Sequence, residues 1–241
     1  MGQAKSKGME TTVTGSKELA QAELPKAQDS RWQLGGKLSQ IYIYPVKSTR
    51  GISVPKASIE KHGLKYGPVM DRQFMIVDSN GKFITGRQFP KLVTIQASFN
   101  GTILSLAAPN MPPIEASISE DSDLIDTEVF GMKCQCLDLG PEIGAWIGRH
   151  LGKEHLGFKV IYHDYSKRDS SRQIQDLNMD LRPLTKETDV PLYADGYGFF
   201  LCTEASIDVL NDKLTNLQVT HKTFRPNLVV KGDFELKYVI I

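Results

Sequence analysis

Four short polar clusters carry the residue types in this sequence that could do chemistry. They are Lys47-Ser48, Asp71-Arg72, Thr85-Gly86-Arg87-Gln88 and Arg225-Pro226-Asn227. Together they supply arginines, a lysine, hydroxyls and amides, but no histidine. Arginine offers phosphate oxygens a planar fork of donors, and lysine offers a mobile point charge. The inventory therefore predicts a site for a multiply charged phosphate or a polyoxygenated ligand.

Taken singly, each cluster also fits a structural interpretation. Cationic side chains at strand ends are usually solvated, and Asp71-Arg72 could be a structural ion pair. The sequence has no Ser-His-Asp signature, no HExxH motif and no P-loop, so it suits a hydrolase poorly. Its five histidines are scattered at spacings that fit no metal site, which predicts structural or exposed roles for them.

Composition limits the class of protein further. The 241 residues include 29 basic and 28 acidic side chains, so the sequence lacks the basic excess of a nucleic-acid-binding protein. An odd, sparse set of three cysteines indicates a reducing compartment. Cys134 and Cys136 should share one face of a strand, and a structural role is favoured because the usual partners of a metal site are lacking.

The membrane signals are confined to the first residues. No apolar run approaches the roughly 18 residues of a membrane span. Gly2 with Ser6 fits the N-myristoylation pattern, and Lys5 and Lys7 would add attraction to anionic lipid. The alternative is an accidental match in a disordered polar tail.

The elements that must position the clusters are mostly strands. Residues 1–35 are polar and aperiodic, which is typical of a flexible leader. Residues 36–140 predict short strands and hairpins, with turns at Asp78–Gly81 and Asn100-Gly101. GPEIGAWIGRHLG predicts a helix, and GFFLCTEASIDVLNDKL predicts a strand followed by a helix capped by Thr203. We therefore expect a mainly β fold with α+β elements.

The ordered set YPVKS, DRQFMIVDSNGKFITGRQFPKL, YADGYGFFLCTEASIDVLN and FRPNLVVKG resembles the MOSC proteins, named for the molybdenum cofactor sulfurase C-terminal domain. Within them the similarity is greatest to the mitochondrial amidoxime-reducing component, over about residues 36–232. The resemblance implies an N-terminal β-barrel-like MOSC domain at 36–165, after the leader at 1–35, and a partial MOSC β-barrel domain at 166–241.

The same resemblance implies a molybdenum cofactor of the molybdopterin type. By motif, its contacts are Lys47, Ser48, Arg72 and Arg225, with Asn227 nearby and Arg87 as a weaker candidate. Two hydroxyl residues of the family are replaced by Gly196 and Tyr197. Implied partners are N-hydroxylated substrates, cytochrome b5 and its NADH-dependent reductase. The implied location faces the cytosol, on the mitochondrial outer membrane or elsewhere.

The family's metal-ligating cysteine follows the FRPN strand, and none of the three cysteines here matches its position. We therefore interpret the sequence as a C-terminally shortened member with impaired or absent reductase activity. The alternative is a non-catalytic cofactor carrier, or a regulatory partner of a full-length MOSC protein. A sulfurase role ranks low, because its desulfurase chemistry needs a separate pyridoxal-phosphate domain.

Overall fold

Short strands dominate the computed structural model, which describes residues 11–14, 36–119, 121–129, 132–164, 192–195 and 198–232. In chain order the strands are β1 Thr11–Thr14, β2 Lys37–Ile43, β3 Ile52–Val54, β4 Lys56–Glu60, β5 Gly63–Tyr66, β6 Val69–Met70, β7 Phe74–Val77, β8 Gln96–Phe99, β9 Ile103–Ala107, β10 Ile114–Ser117, β11 Leu124–Val129, β12 Met132–Asp138, β13 Lys159–Tyr162, β14 Leu201–Thr203 and β15 Leu228–Lys231. The α-helices are α1 Pro141–Leu151, α2 Glu204–Lys213 and α3 His221–Phe224. Single 3-10 turns occupy Pro90–Thr94 and Glu154–Leu156. The predicted mainly β fold with α+β elements is confirmed.

The described strands form four sheets. Their orders are β1-β4-β5-β6, β10-β9-β8, β11-β12-β13-β7 and β14-β15-β2-β3. Only β14 and β15 pair in parallel, while the other described pairs are antiparallel. In the last sheet β15 pairs with β2, so the FRPN segment lies beside the YPVKS segment although about 180 residues separate them in the chain.

The loop between β2 and β3 joins three of these sheets. Val46 forms an isolated bridge with Phe74 of β7, and Arg50 forms one with Gln96 of β8. Pro45 ends β2 at this point because its ring removes the backbone donor that a continuing ladder would need. The polar loop is therefore fixed at a junction rather than exposed at a free sheet edge.

One apolar cluster spans the sheets and fixes their arrangement. Its fully buried side chains include Phe74, Leu104 and Trp146. The Trp146 ring is 1% exposed, and its Nε1 donates to Pro112 O at 2.6 Å. This tryptophan is therefore a core residue, and it fixes α1 against the sheets.

Helix α1 follows its sequence pattern closely. Pro141 occupies the first turn, where a missing amide costs nothing, and Gly152 ends the helix in the left-handed conformation at φ 64°. Its buried face includes Ile143, Trp146 and Ile147. Gly144 allows the helix to approach β13 closely, because a Cβ there would lie 2.0 Å from Phe158 O.

The predicted strand and capped helix near residue 200 are also present. Thr203 Oγ1 accepts from Ser206 N at 3.2 Å, which satisfies an amide of the first turn of α2. The helix buries none of its residues fully, however, so the apolar face containing Ile207 and Leu210 is only half covered among the described residues.

Three local features differ from the sequence-based expectation. Thr11–Thr14 forms a strand on Lys56–Glu60 inside the segment expected to be irregular, which reflects its run of β-branched residues. The hairpin partner of β7 is reduced to a bridge at Phe83, and His221–Phe224 forms an unpredicted helical turn.

Gly2, the segment 166–190 and the last nine residues lie outside the described residues. Among the helices that are described, none has the length and apolar character needed to cross a membrane.

Candidate functional site

Backbone hydrogen bonds hold the loop that carries the predicted Lys47. Lys47 N donates to Phe74 O at 2.8 Å, and Phe74 N donates to Pro45 O at 3.0 Å. On the far side, Arg50 N donates to Ile95 O at 2.9 Å. Main-chain ladders on both sides therefore set the loop, and its side chains need little reorganisation to meet a ligand.

Three of the predicted site residues have an unusual backbone conformation. Ser48, Arg72 and Arg225 adopt φ values of 69°, 51° and 57°, and Asn110 is the only other non-glycine residue with positive φ in the described part of the chain. This left-handed region costs a side-chain-bearing residue free energy, and such strain concentrates at functional sites. The left-handed conformation thus marks these three predicted residues as candidates for a functional site.

Arg72 is held by an acid and an amide. Its Nη1 contacts Asp71 Oδ2 as an ion pair and donates to Asn227 Oδ1 at 2.9 Å. Its Nη2 lies 3.4 Å from Arg225 O. The other oxygen of Asp71 accepts from Tyr44 N at 2.8 Å, so the carboxylate ties the guanidinium to the end of β2. The ion-pair interpretation of Asp71-Arg72 is thus correct, and the pair lies inside the site.

Asn227 joins three segments from a fully buried position. Its Nδ2 donates to Tyr42 O at 3.1 Å, and its Oδ1 accepts from Phe200 N at 3.1 Å as well as from Arg72. Both ends of the amide are therefore used. This residue sets the position of Arg72 relative to β2 and to the segment before β14.

Both arginines lie against one tyrosine ring. The Cζ atoms of Arg72 and Arg225 are 4.3 Å and 4.8 Å from the Tyr44 ring centroid. Arg225 Nη2 also donates to Thr49 O at 2.8 Å, and Tyr44 Oη donates to Pro226 O at 3.1 Å. The Tyr44 ring thus contacts two groups of like charge. Cation–π attraction to the ring offsets only part of their mutual repulsion.

The proximity of the two guanidinium groups has an electrostatic cost. Burial lowers the pKa of Arg225, and the Arg72 charge lowers it further, to about 10 from 12.5. A shift in this direction means that the folded protein holds the charge of Arg225 unfavourably. An anion bound between the two groups would remove that penalty.

Lys47 extends the cationic surface on the other side of Arg72. It is 6% exposed, and its Nζ donates to Tyr193 O at 2.7 Å and pairs with Asp195 Oδ1. Tyr193 N in turn donates to Arg72 O at 3.2 Å. Tyr193 therefore links the lysine to the arginine pair through its main chain.

Asp195 is the second carboxylate of the site, and its side chain is 70% exposed. Desolvation raises the pKa of this carboxyl, but Lys47, then Arg72 and Arg87, outweigh that effect and lower it overall. Asp195 thus acts as an internal anion within reach of the cations. Sequence reasoning did not assign it, although YADG lies in a segment that carries the MOSC resemblance.

The two remaining predicted residues lie around this centre. Ser48 is buried beside Lys47, and its carbonyl would lie 3.8 Å from a Cβ at Gly86, which brings the TGRQ turn next to the loop. Arg87 is exposed, and its charge acts on Asp195 from the periphery. Gly196 and Tyr197 lie outside the described residues. Tyr44, Thr49 and Tyr193 are site residues that the sequence did not single out.

Five of the predicted residues therefore lie together on one side of the molecule: Lys47, Ser48, Arg72, Arg225 and Asn227. Contacts among the described residues use three of the five N–H donors of Arg72 and one of those of Arg225, so donors remain for ligand oxygens. No group of three or more His, Cys, Asp or Glu in the described residues is arranged to hold a metal ion. The donor set suits an oxyanion such as a phosphate ester.

Comparison with known families gives the class of protein. Residues 35–154 match the family described as the MOSC N-terminal beta barrel domain. Similarity to known proteins extends over more than four fifths of the chain. The chain belongs to the MOSC family, as the ordered motifs predict.

Three similar proteins are named mitochondrial amidoxime-reducing components. The chain is 30% identical to mitochondrial amidoxime-reducing component 1 of Mus musculus, over 84% of this chain and 57% of that protein. It is 30% identical to the Danio rerio protein of the same name, over 85% of this chain and 66% of the relative. It is 32% identical to mitochondrial amidoxime reducing component 2 of Rattus norvegicus, over 82% and 57%. The chain thus spans about three fifths of the length of these relatives.

Proposed function

We propose that this chain binds a molybdenum cofactor of the molybdopterin type through Lys47, Ser48, Arg72, Arg225 and Asn227. The observation that carries the proposal is the pair of guanidinium groups on the Tyr44 ring. The phosphate of the pterin would lie between them, where its charge offsets their repulsion. Lys47 adds a point charge, and Arg87 contributes from the rim.

The chain's own residues divide the work of binding. Arg72 and Arg225 present their remaining donors to phosphate oxygens, while Asn227 and Asp71 hold Arg72 in place. Ser48 offers a hydroxyl beside Lys47 for the pterin side. When the ligand anion binds, it replaces Asp195 as the partner of Lys47, because one ammonium group cannot fully neutralise two anions. When bound, the cofactor would supply two-electron oxidation–reduction chemistry at its molybdenum.

The proposed activity follows the names of the relatives: reduction of N-hydroxylated compounds such as amidoximes. Cytochrome b5 and its NADH-dependent reductase are the proposed electron donors, and the proposed place is a cytosol-facing mitochondrial surface. None of Cys134, Cys136 and Cys202 matches the metal-ligating position of the family pattern.

The test is recovery of pterin from the purified chain, measured by fluorescence after oxidative release. Wild type and Arg149→Ala, an exposed arginine on α1, should retain pterin. Arg72→Ala and Arg225→Ala should lose most of it, while near-wild-type thermal unfolding shows that they fold. Wild-type protein that carries no pterin after expression with an active cofactor pathway would contradict the proposal.

A second measurement separates the two functional candidates. Benzamidoxime reduction is followed with NADH, cytochrome b5 and its reductase supplied in excess. Robust turnover identifies a reductase and refutes the expectation of impaired activity. Pterin binding without turnover favours the carrier or regulatory role, which needs only the cationic site.

A further inference from the structure

Tyr193 and three further reactive side chains form a second cluster. Cys134 and Cys136 point from the same face of β12, with their Sγ atoms 3.8 Å apart. Cys136 is fully buried, and its Sγ lies 2.6 Å from Tyr193 Oη. His163 packs edge to face on the Tyr193 ring, with centroids 6.0 Å apart.

Two polar groups, the Tyr193 hydroxyl and the His163 ring, lie beside this sulfur pair in a cluster that is otherwise apolar and includes Met75, Val77 and Ile161. His163 is 6% exposed, and its Nδ1 has no hydrogen-bond partner in the described part of the chain. Buried polar atoms without partners are rare and often mark functional sites. The cluster is therefore more than a pair of structural cysteines.

The Cys136 sulfur also has thiolate character. Hydrogen bonding to Cys134 lowers the pKa of the Cys136 thiol most; burial opposes it, and His163 and Tyr193 lower it further, to about 5. The thiolate is the nucleophilic form of cysteine, so Cys136 is prepared to attack an oxidised sulfur at Cys134. Cys134 is only half-buried, which gives a small oxidant access to the pair.

We propose that Cys134 and Cys136 form a reversible oxidation site, in which a peroxide converts the two thiols into a disulfide. The Cys134 sulfur attacks one peroxide oxygen, the O–O bond breaks, and sulfenic acid and water form. The Cys136 sulfur then attacks the Cys134 sulfur, the S–O bond breaks, and a second water leaves. Two thiols and one peroxide thus give one disulfide and two waters.

The strand geometry explains why this bond would be reversible. Residues two apart on a strand have Cα atoms about 6.6 Å apart, near the upper limit of roughly 6.8 Å for disulfides. Closure therefore strains the strand, and strained disulfides are easily reduced. Closure also distorts the ladder between β12 and β11, because Cys134 pairs with Thr127 and Cys136 pairs with Ile125.

The oxidation site is connected to the cationic site by one residue. Tyr193 Oη contacts Cys136, while its carbonyl accepts from Lys47 Nζ at 2.7 Å. Disulfide formation removes the thiolate from Tyr193 Oη and so disturbs the residue that holds Lys47. Oxidation should therefore weaken anion binding, a consequence that rests on the proposed function, whereas the disulfide itself does not.

The experiment treats the full chain with hydrogen peroxide at neutral pH, blocks free thiols and maps Cys134 and Cys136 by mass spectrometry. The expected product is a peptide lacking two hydrogen masses, restored by dithiothreitol, in wild type and in the control Cys202→Ser. Cys136→Ser should instead accumulate a dimedone-reactive sulfenic acid at Cys134. Tyr193→Phe should slow disulfide formation several-fold.

Two results would overturn the proposal. One is wild-type protein whose cysteine pair stays unmodified at peroxide levels that oxidise free glutathione. The other is oxidation that passes directly to sulfinic or sulfonic acid without a reducible disulfide. Both are read in wild-type protein, so they do not depend on the folding of a variant or on pterin binding.

Discussion

Replacing Asn227 by alanine should destabilise the protein far more than the loss of one amide usually does. The side chain is fully buried and makes three hydrogen bonds, to Tyr42 O, Phe200 N and Arg72 Nη1. Each neutral group left without a partner costs about 1–2 kcal/mol, and the charged contact about 1.5–3 kcal/mol. The expected loss in the free energy of unfolding is therefore about 3.5–7 kcal/mol.

Asn211 provides a matched control for this substitution. Its amide also makes two backbone hydrogen bonds, to Val219 N and Val219 O at 2.8 Å and 2.9 Å, but in a half-buried position on α2. Asn211→Ala should cost about 1–2 kcal/mol, because water can replace part of what is lost. It should leave pterin binding unchanged, whereas Asn227→Ala should reduce it by releasing Arg72.

Urea unfolding, monitored by the fluorescence of the buried Trp146, measures the free energy of unfolding of each variant. The two values can be compared if the dependence of that free energy on urea concentration is the same in both variants. A cost below about 1 kcal/mol for Asn227→Ala would refute the reasoning. So would equal costs for Asn227→Ala and Asn211→Ala. Either result would mean that the three segments are not held together by this amide.

Three further expectations come from close contacts and charge. Gly51→Ala would place a Cβ 2.5 Å from Tyr44 Cε1, so it should displace the ring and weaken pterin binding about tenfold in a fluorescence titration; unchanged affinity would contradict this. Gly144→Ala would place a Cβ 2.0 Å from Phe158 O and should cost more than about 2 kcal/mol in urea, against about 1 kcal/mol for the exposed control Ala145→Gly. In the wild-type protein, the part of the thiolate absorbance that the Cys136→Ser variant lacks should titrate near pH 5 rather than near 9.0. The reason is that hydrogen bonding to Cys134 lowers the pKa of Cys136 against the effect of burial. Since the folded-state pKa is depressed, the stabilisation from this thiol is complete above pH 9 and is lost as the pH falls through 5; a transition near 9 would contradict the described cluster.

The sequence predicts the fold best where a local pattern decides the structure. The helix at Pro141–Leu151 has a proline in its first turn, a glycine after its end and apolar residues at helical spacing. The hairpin at Asn100 forms because the Asn100 side chain accepts from Ile103 N at 2.8 Å. The strand at Thr11–Thr14 was not predictable, because a short β-branched run forms a strand only when a partner such as Lys56–Glu60 is available.

Part of the candidate site can also be predicted from local sequence patterns. Ordered motifs identify Lys47, Arg72 and Arg225 as candidates, and the structure places them together; their role in binding a cofactor remains a prediction. Tyr44 and Asp195 could not be singled out, because their importance lies in long-range contacts with those cations. Position along the chain does not reveal which aromatic ring contacts both arginines.

The most direct test of the central claim compares two pterins that differ by a phosphate. Calorimetric titration of the wild-type chain should show that the phosphorylated pterin binds at least about tenfold more tightly than its dephosphorylated counterpart. The difference should largely disappear in the Arg72→Ala, Arg225→Ala double variant. Equal affinity of the wild-type chain for the two pterins would contradict a phosphate site at the arginine pair.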